Sequence, residues 1–207
     1  MKTLKFAFAV IATLVVLSFV VGLCLPSDFQ VSRATVMNAP PEAIYPFVAS
    51  AKQWAEWSAW NPKAKPEMTF SYEGPELGKG SAVRLSNQKA PEQGSGVLTI
   101  TEANPKTGVH YQVLLDNGFR IDGTFAFEPS GAGTKVTWTD RGEFKNPWFR
   151  YLRYVMDRSL GGAFEQGLNE LKKHAEGAPA AATPATPATA TAPASPTSGA
   201  TATPAAP

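Results

Sequence analysis

Two residues of this sequence suit acid–base chemistry at a shared site, Asp140 and Tyr111. Asp140 has the same parity as Val136 and Trp138 on an alternating segment, so the pattern directs its carboxyl inward with them. Tyr111 lies on another alternating segment. A carboxyl and a phenol within hydrogen-bond reach of a bound polar group are what a proton-transfer step requires. We therefore nominate this pair for the enzyme hypothesis, and we assign no residue a catalytic role outright.

Other common chemistries lack the residues that they need. The chain has two histidines, His110 and His174, and neither has metal-ligand spacing with a carboxylate on a common face. His174 is expected to be a solvated helix-end residue, and His110 faces either a cavity or solvent. Cys24 is the only cysteine and lies in an apolar span, which removes a thiol nucleophile and a disulfide framework. We expect no metal and no cofactor.

A larger group of residues suits the binding of an apolar molecule. Three of the five tryptophans fall within one segment, as Trp54, Trp57 and Trp60. They form either a core plug that fixes a short helix to a sheet or an aromatic rim at the mouth of an apolar pocket. With large apolar residues of the predicted strands and the last helix, the candidate cavity residues are Trp54, Trp57, Trp60, Phe70, Tyr72, Tyr111, Phe119, Phe125, Trp138, Asp140, Met156, Leu160 and Phe164.

One long amphipathic helix, from 147 to about 175, organises the predicted domain. Asn146 is a plausible N-cap, and Pro147 suits the first helical position. Apolar residues recur at steps of three and four and predict a buried stripe. Gly161 and Gly162 interrupt the helix, and they indicate either close packing against a sheet or room for a bound molecule. The stripe consists of Leu152, Met156, Leu160, Ala163, Phe164, Leu168 and Leu171.

Before that helix the chain reads as strands and turns. A first strand near 29–38 is followed by two short helices, one near 41–48 and one in the tryptophan segment 54–62, and then by alternating segments between 68 and 144. Asp116-Asn117-Gly118 is a strong hairpin signal. The pattern predicts an α+β domain with six to seven antiparallel strands and a long C-terminal helix.

The N-terminal segment predicts a membrane anchor. Residues 6–25 carry no charge and would form a helix of about 30 Å, enough to cross a bilayer core. Lys2 and Lys5 before the span, and Asp28 after it, favour a cytoplasmic N-terminus and an exported domain. The alternative is a cleaved signal peptide, although the stretch is long and lacks a good cleavage site.

Composition divides the chain into three parts. Residues 1–27 are the predicted anchor, 28–176 the folded domain, and 177–207 a tail of Ala, Pro, Thr, Ser and Gly that we expect to be disordered. The net charge of +2 and the absence of a basic run argue against nucleic-acid binding.

Several local sequences resemble the START/Bet v 1-like (SRPBCC) superfamily, in particular its polyketide cyclase/dehydrase and lipid transport branch. They are VMNAPPEAIY at 36–45, WAEWSAW at 54–60, GTKVTW at 133–138 and the terminal helix. The resemblance implies a helix-grip fold, in which a curved antiparallel sheet closes on the C-terminal helix around an apolar cavity. The superfamily includes transfer proteins, ligand sensors and cyclases, so no functional residue is transferred from it.

Three functions follow as hypotheses. The first is a single-pass membrane protein whose exported domain holds a hydrophobic small molecule such as a lipid or isoprenoid. The second is a cyclase or dehydratase acting on a polyketide or aromatic substrate. The third is an envelope interaction module with a solid core. The sequence assigns no protein partner to any of them.

Overall fold

A computed structural model gives the fold for residues 2–90 and 94–177. The expected disordered tail, from 178 onwards, lies outside these described residues. Helix α1 (Lys2–Cys24) precedes the domain, which begins with β1 (Asp28–Met37), α2 (Pro41–Ala49) and α3 (Trp54–Trp57). The strands that follow are β2 (Met68–Glu73), β3 (Ala82–Asn87), β4 (Gly96–Asn104), β5 (Gly108–Leu115), β6 (Arg120–Ser130) and β7 (Gly133–Glu143). A 3-10 segment (Pro147–Leu152) leads into α4 (Arg153–Gly177).

The seven strands form a single antiparallel sheet in the order β1-β7-β6-β5-β4-β3-β2. The first strand pairs with the last, from Asp28 opposite Glu143 to Met37 opposite Thr134. The other strands follow one another as hairpins. Helix α4 packs across β1, where Lys172 Nζ donates to the Val36 carbonyl at 2.8 Å. The predicted α+β helix-grip class is confirmed, with seven strands and both short helices after the first.

The start of the long helix differs from the prediction. Residues 147–152 form a 3-10 segment rather than α-helix, although Asn146 does cap it by accepting from the Trp148 N–H at 3.0 Å. Such turns are common at the beginning of α-helices, and the aromatic residues here are weak helix formers. Leu152, expected on the buried stripe, is 45% exposed. The fully buried part of the stripe comprises Phe164, Leu168 and Leu171.

The glycine pair in α4 provides close packing at one of its two positions. A Cβ on Gly161 would lie 2.1 Å from Nη2 of Arg33, a residue of β1. Arg33 also donates to Glu165 at 2.8 Å and to Asp157 at 3.0 Å, so its guanidinium fixes α4 to the edge strand. Nothing lies within 4 Å of a Cβ on Gly162. The space at Gly161 is therefore filled by an arginine rather than left for a ligand.

Helix α1 stands apart from the domain core. Residues 3–24 form a helix long and apolar enough to cross a membrane by length and composition, and its side chains are almost all exposed. The chain passes from α1 directly to β1, and the Phe144 N–H at the end of β7 donates to the Ser27 carbonyl at 2.7 Å. The helix therefore joins the domain at one defined end of the sheet.

Candidate functional site

A cavity of about 450 Å³ lies between the sheet, the segment that contains α3, and the first half of α4. Its volume is within the range of small-molecule sites. The polar residues in its wall are few, and Asp140 and Tyr111 are the buried ionisable ones. The lining consists of Ala51, Trp54, Ala55, Ser58, Trp60, Lys65, Glu67, Met68, Phe70, Tyr72, Val83, Leu85, Asn87, Gly94, Gly96, Leu98, Tyr111, Val113, Leu115, Ile121, Trp138, Asp140, Met156 and Leu160.

The structure brings most of the candidate cavity residues together around this space. Trp54 and Trp60 contribute from the α3 region, and Met156 and Leu160 contribute from α4. The sheet contributes Phe70, Tyr72, Tyr111, Trp138 and Asp140.

Four of the candidates lie elsewhere. Trp57, Phe125 and Phe164 are almost completely buried in the core behind the cavity wall. Phe119 stacks on Phe144, with ring centroids 5.3 Å apart, in a small aromatic group near the end of the sheet. These four side chains support the wall or the fold rather than face the cavity.

The tryptophan cluster serves both as a core plug and as part of the rim of the cavity. The Trp57 indole donates to the Phe47 carbonyl at 2.9 Å, so this residue fixes α3 to α2 as a core plug. Trp54 donates to the Val48 carbonyl at 3.0 Å and also lines the cavity. Trp60 is half-buried and lies beside the cavity, as a rim residue would.

Trp138 is held rigidly at the cavity wall. Its ring stacks on Phe164 with centroids 3.9 Å apart and an interplanar angle of 6°. On the sheet, Phe125 approaches Trp138 to 4.9 Å between ring centroids. The Trp138 indole N–H donates to the Tyr111 hydroxyl at 2.6 Å. These contacts link the rigid aromatic core to the polar end of the cavity.

Tyr111, Gly123 and Asp140 form a row across three adjacent strands. Gly123 on β6 pairs with Tyr111 on β5 and with Asp140 on β7. Because Gly123 has no side chain, the Tyr111 ring lies across it, and the hydroxyl donates to Asp140 Oδ1. A Cβ on Gly123 would lie 2.0 Å from the tyrosine ring. Sequence reasoning nominated Tyr111 and Asp140 but assigned no role to the glycine that lets them meet.

Burial raises the pKa of Asp140 to about 6, and the hydrogen bonds from Tyr111 and Trp138 partly oppose this rise. Burial, together with the charge of Asp140, raises the pKa of Tyr111 well above its ordinary value. Asp140 is therefore in a position to hold or release a proton near neutral pH, whereas Tyr111 remains a donor.

Substituting Gly123 by alanine is expected to displace the Tyr111 ring. The added methyl group overpacks a buried contact, which costs about 1–3 kcal/mol of the free energy of unfolding. Losing the Tyr111 hydrogen bond should also raise the pKa of Asp140 above 6, because that bond favours the charged form. Denaturant titration and carboxyl NMR measure the two effects. Gly162→Ala, at an open helix position, is the control, and a stability loss of equal size there would contradict the expectation.

Sequence reasoning missed much of the aliphatic wall. Val83, Leu85, Leu98, Val113, Leu115 and Ile121 all face the cavity. Their alternation along the strands indicated an inward face, but it gave no means of separating residues that line an open space from residues that fill it. No group of histidine, cysteine, aspartate and glutamate in the described part of the chain is placed to hold a metal ion.

Comparison with known proteins agrees with this architecture. Protein CV1439 from Chromobacterium violaceum superposes with a TM-score of 0.51 at 14% identity, covering 71% of this chain and 96% of that one. A protein of unknown function from Staphylococcus aureus, SA2116, gives 0.54 at 12% identity, covering 73% and 96%. The di-domain ARO/CYC protein StfQ of the steffimycin biosynthetic pathway gives 0.54 at 12% identity, covering 73% and 51%.

At these identities the structural likeness shows the fold alone. No curated protein matches the chain in sequence. A family profile does match, over residues 28–176, which is the whole of the sheet and nearly all of α4. The chain therefore belongs to the polyketide cyclase/dehydrase and lipid transport family.

Proposed function

We propose that this protein binds a hydrophobic small molecule that carries one polar group, without transforming it. The observation that supports this best is the apolar cavity with a single buried phenol–carboxyl pair in its wall. Apolar lining favours an apolar ligand by removing its surface from water, at roughly 25 cal/mol per Å². A hydroxyl group of the ligand would donate a hydrogen bond to the Asp140 carboxylate.

The cavity argues against the solid-core interaction module. A solid core would place side chains where the structure leaves about 450 Å³ between sheet and helix. A space lined mostly by apolar side chains accepts apolar molecules. A lipid chain or an isoprenoid has the required chemistry.

The protein is further proposed to be a single-pass membrane protein. Helix α1 supports this by its length and its exposed apolar side chains. Lys2 and Lys5 before the span favour a cytoplasmic N-terminus, which places residues 28–176 on the exported side. A tether of this kind keeps a lipid-binding domain beside its source of ligand. Reporter fusions at both ends of the chain test this orientation.

Filling the cavity should abolish binding. Val113 lines the cavity from β5, and its neighbour Leu114 is 50% exposed on the opposite face of the sheet. We expect Val113→Trp to weaken binding of an apolar fluorescent dye at least about tenfold, equivalent to about 1.4 kcal/mol. Leu114→Trp, the matched control, should leave dye binding unchanged. The measurement is dye titration of the full chain in detergent micelles.

Either of two results would contradict the proposal. One is equal weakening by both tryptophan variants, which would mean that the dye does not occupy the cavity. The other is a wild-type chain that binds neither dye, fatty acid nor isoprenoid. Native mass spectrometry of the gently purified protein provides an independent check, since an occupied cavity carries a lipid-sized mass that organic extraction removes.

A cyclase-type enzyme is the second candidate. It is favoured by the Tyr111–Asp140 pair, a proton donor and a titratable carboxyl facing one apolar space. The description of the chain's family, polyketide cyclase/dehydrase and lipid transport, is consistent with a polyketide substrate. Under this hypothesis Asp140→Asn loses turnover and keeps ligand binding. A binding protein shows no turnover to lose.

A further inference from the structure

The 3-10 segment and the first turn of α4 carry a cluster of exposed apolar side chains. Trp148 is 43% exposed, Phe149 54%, Leu152 45% and Val155 58%. Together with the exposed Tyr154, these residues are called the apolar patch below. Soluble surfaces rarely expose so many large apolar residues side by side, and such patches mark protein or membrane contacts.

The apolar patch is attached to the last turns of helix α1. The Tyr151 hydroxyl donates to the Ser18 carbonyl at 2.5 Å, and the Phe19 and Trp148 rings lie 5.7 Å apart. Arg150 Nη1 donates to the Leu23 carbonyl at 3.0 Å. It also donates to the Leu25 carbonyl at 3.1 Å, so that a cation covers the carbonyl end of the helix.

These contacts fix the depth of the patch relative to α1. Ser18 precedes the helix end at Cys24 by six residues, which is about 9 Å along the axis. A helix of this length must use nearly all its residues to cross a hydrocarbon core of about 30 Å. If α1 spans the membrane, the 3-10 segment extends from the membrane interface, where Arg150 meets the Leu25 carbonyl, to about 9 Å inside it, where Tyr151 meets Ser18. Tryptophan, tyrosine and arginine are residues that favour that depth.

The wall of the cavity extends to the same end of the sheet. Helix α1 leads into Asp28, which pairs with Glu143, and the neighbouring pair joins Gly142 to the cavity residue Ile121. Continuing along this end, Leu115 pairs with Gly96, and both line the cavity. Met68, at the start of β2, also lines it and is half-buried.

Asp140 lies further from this end of the sheet than the residues just named. It is three residues before Glu143 on β7, a distance of about 10 Å along the strand. On α4, half-buried Met156 of the cavity follows Leu152 of the apolar patch by one turn. The cavity wall therefore runs from the Tyr111–Asp140 pair to the end of the sheet near α1, where it also includes Lys65, Glu67 and Asn87 beside Met68.

We propose that the apolar patch lies in the outer interface of the bilayer that α1 spans, and that the cavity opens at this end, so that its mouth faces lipid. The ligand class is then an amphiphile of that bilayer, which enters with its polar group towards Asp140 without crossing water. This inference rests on the proposed binding function and on the proposed anchor. The occupant of the patch is the lipid surface rather than a second copy of the chain or another protein.

Spin-label accessibility of the full chain tests the position of the patch. In a Cys24→Ser background, single cysteines replace Val15 in α1, Leu152 and Val155 in the patch, and Lys106 in the turn at the far end of the sheet. The labelled chains are reconstituted into vesicles of phosphatidylcholine and phosphatidylglycerol. We expect the labels at 15, 152 and 155 to be relaxed by oxygen, which dissolves in lipid. The label at 106 should be relaxed by an aqueous nickel chelate.

The outcomes separate this inference from the proposals on which it depends. Oxygen access at 15 with nickel access at 152 and 155 overturns the inference and leaves the anchor intact. Nickel access at 15 overturns the anchor and the inference with it. Spin–spin broadening at 152 shows that a second copy covers the patch and also overturns the inference. Dye binding in micelles, measured separately, reports on the cavity alone.

A transfer measurement tests the mouth. We expect Leu152→Glu combined with Val155→Glu to slow the uptake of a fluorescent fatty acid from the host vesicle at least about tenfold. Binding of the same probe by the chain in micelles should be unchanged. Val36→Glu, an exposed apolar position at the far end of β1, is the control. Uptake at the wild-type rate by the double variant would overturn the inference.

Discussion

Between pH 4 and pH 7 the stability of Asp140→Asn relative to the wild type should rise by roughly 2 kcal/mol. The buried carboxyl has a pKa of about 6, compared with an ordinary value of 3.8. A difference of that size corresponds to roughly 3 kcal/mol over the whole titration, and most of it falls in this interval. In this interval the folded wild type keeps a proton that the unfolded chain has released. The free energy of unfolding of the wild type therefore falls as pH rises, and it levels off above the folded pKa.

Asparagine has nearly the shape of aspartate but cannot ionise, so the variant lacks this decline. Denaturant titration of the full chain in detergent micelles at several pH values provides the measurement. Asp122→Asn removes a carboxylate from the exposed face of β6, and its effect should stay within about 0.5 kcal/mol at each pH. We compare the free energies of unfolding of Asp140→Asn and the wild type at pH 4 and at pH 7. If their difference is the same at both pH values, the buried carboxyl does not cause the pH dependence of stability.

Phe164→Ala should destabilise the protein by about 3–5 kcal/mol. Phe164 is completely buried, and its ring stacks on Trp138 at 3.9 Å. Removing the ring leaves a void that rigid neighbours cannot fill, and it removes the support that holds Trp138 against the Tyr111 hydroxyl. Because a loss of this size is a large part of a typical total stability, thermal unfolding should begin many degrees lower.

The control for this variant is Val155→Ala, which lies on the same helix but is 58% exposed. Its effect on the free energy of unfolding should stay within about 0.5 kcal/mol. A similarly small effect of Phe164→Ala would mean that the core repacks around the loss. Apolar-dye titration in micelles then shows whether Trp138 still forms the cavity wall.

The sequence by itself was sufficient to predict an α+β domain and the order of its elements, and its resemblance to the START/Bet v 1-like superfamily implied the helix-grip arrangement. The patterns behind this prediction are local. They are the alternation in the strands, the hairpin signal at Asp116-Asn117-Gly118 and the period of the last helix, and the structure forms the elements that they predict. The nomination of Tyr111 with Asp140 also came from local parity. Parity says which face of a strand a residue occupies, and on a sheet with one buried face that is enough to direct a carboxyl inward.

The sequence did not predict which residues meet across strands or which inward residues line the cavity, because both depend on distances between elements. The registers of β5, β6 and β7 place Gly123 between Tyr111 and Asp140, and a register is a relation between strands rather than a property of one. The curvature of the sheet decides whether inward residues meet or leave a space, and so Phe125 fills the core whereas Val113 lines the cavity.

The start of the last helix shows the same division. Its periodicity suggested that Leu152 would be buried. Burial requires another surface to pack against, and the domain provides none beside Leu152, which is 45% exposed. The tertiary structure instead sets this turn against the end of α1 through Arg150 and Tyr151. Amino-acid pattern alone determined that these residues form a helical, apolar segment. Only the packing of distant segments decided what they face, because burial is a property of the whole fold and not of the local chain.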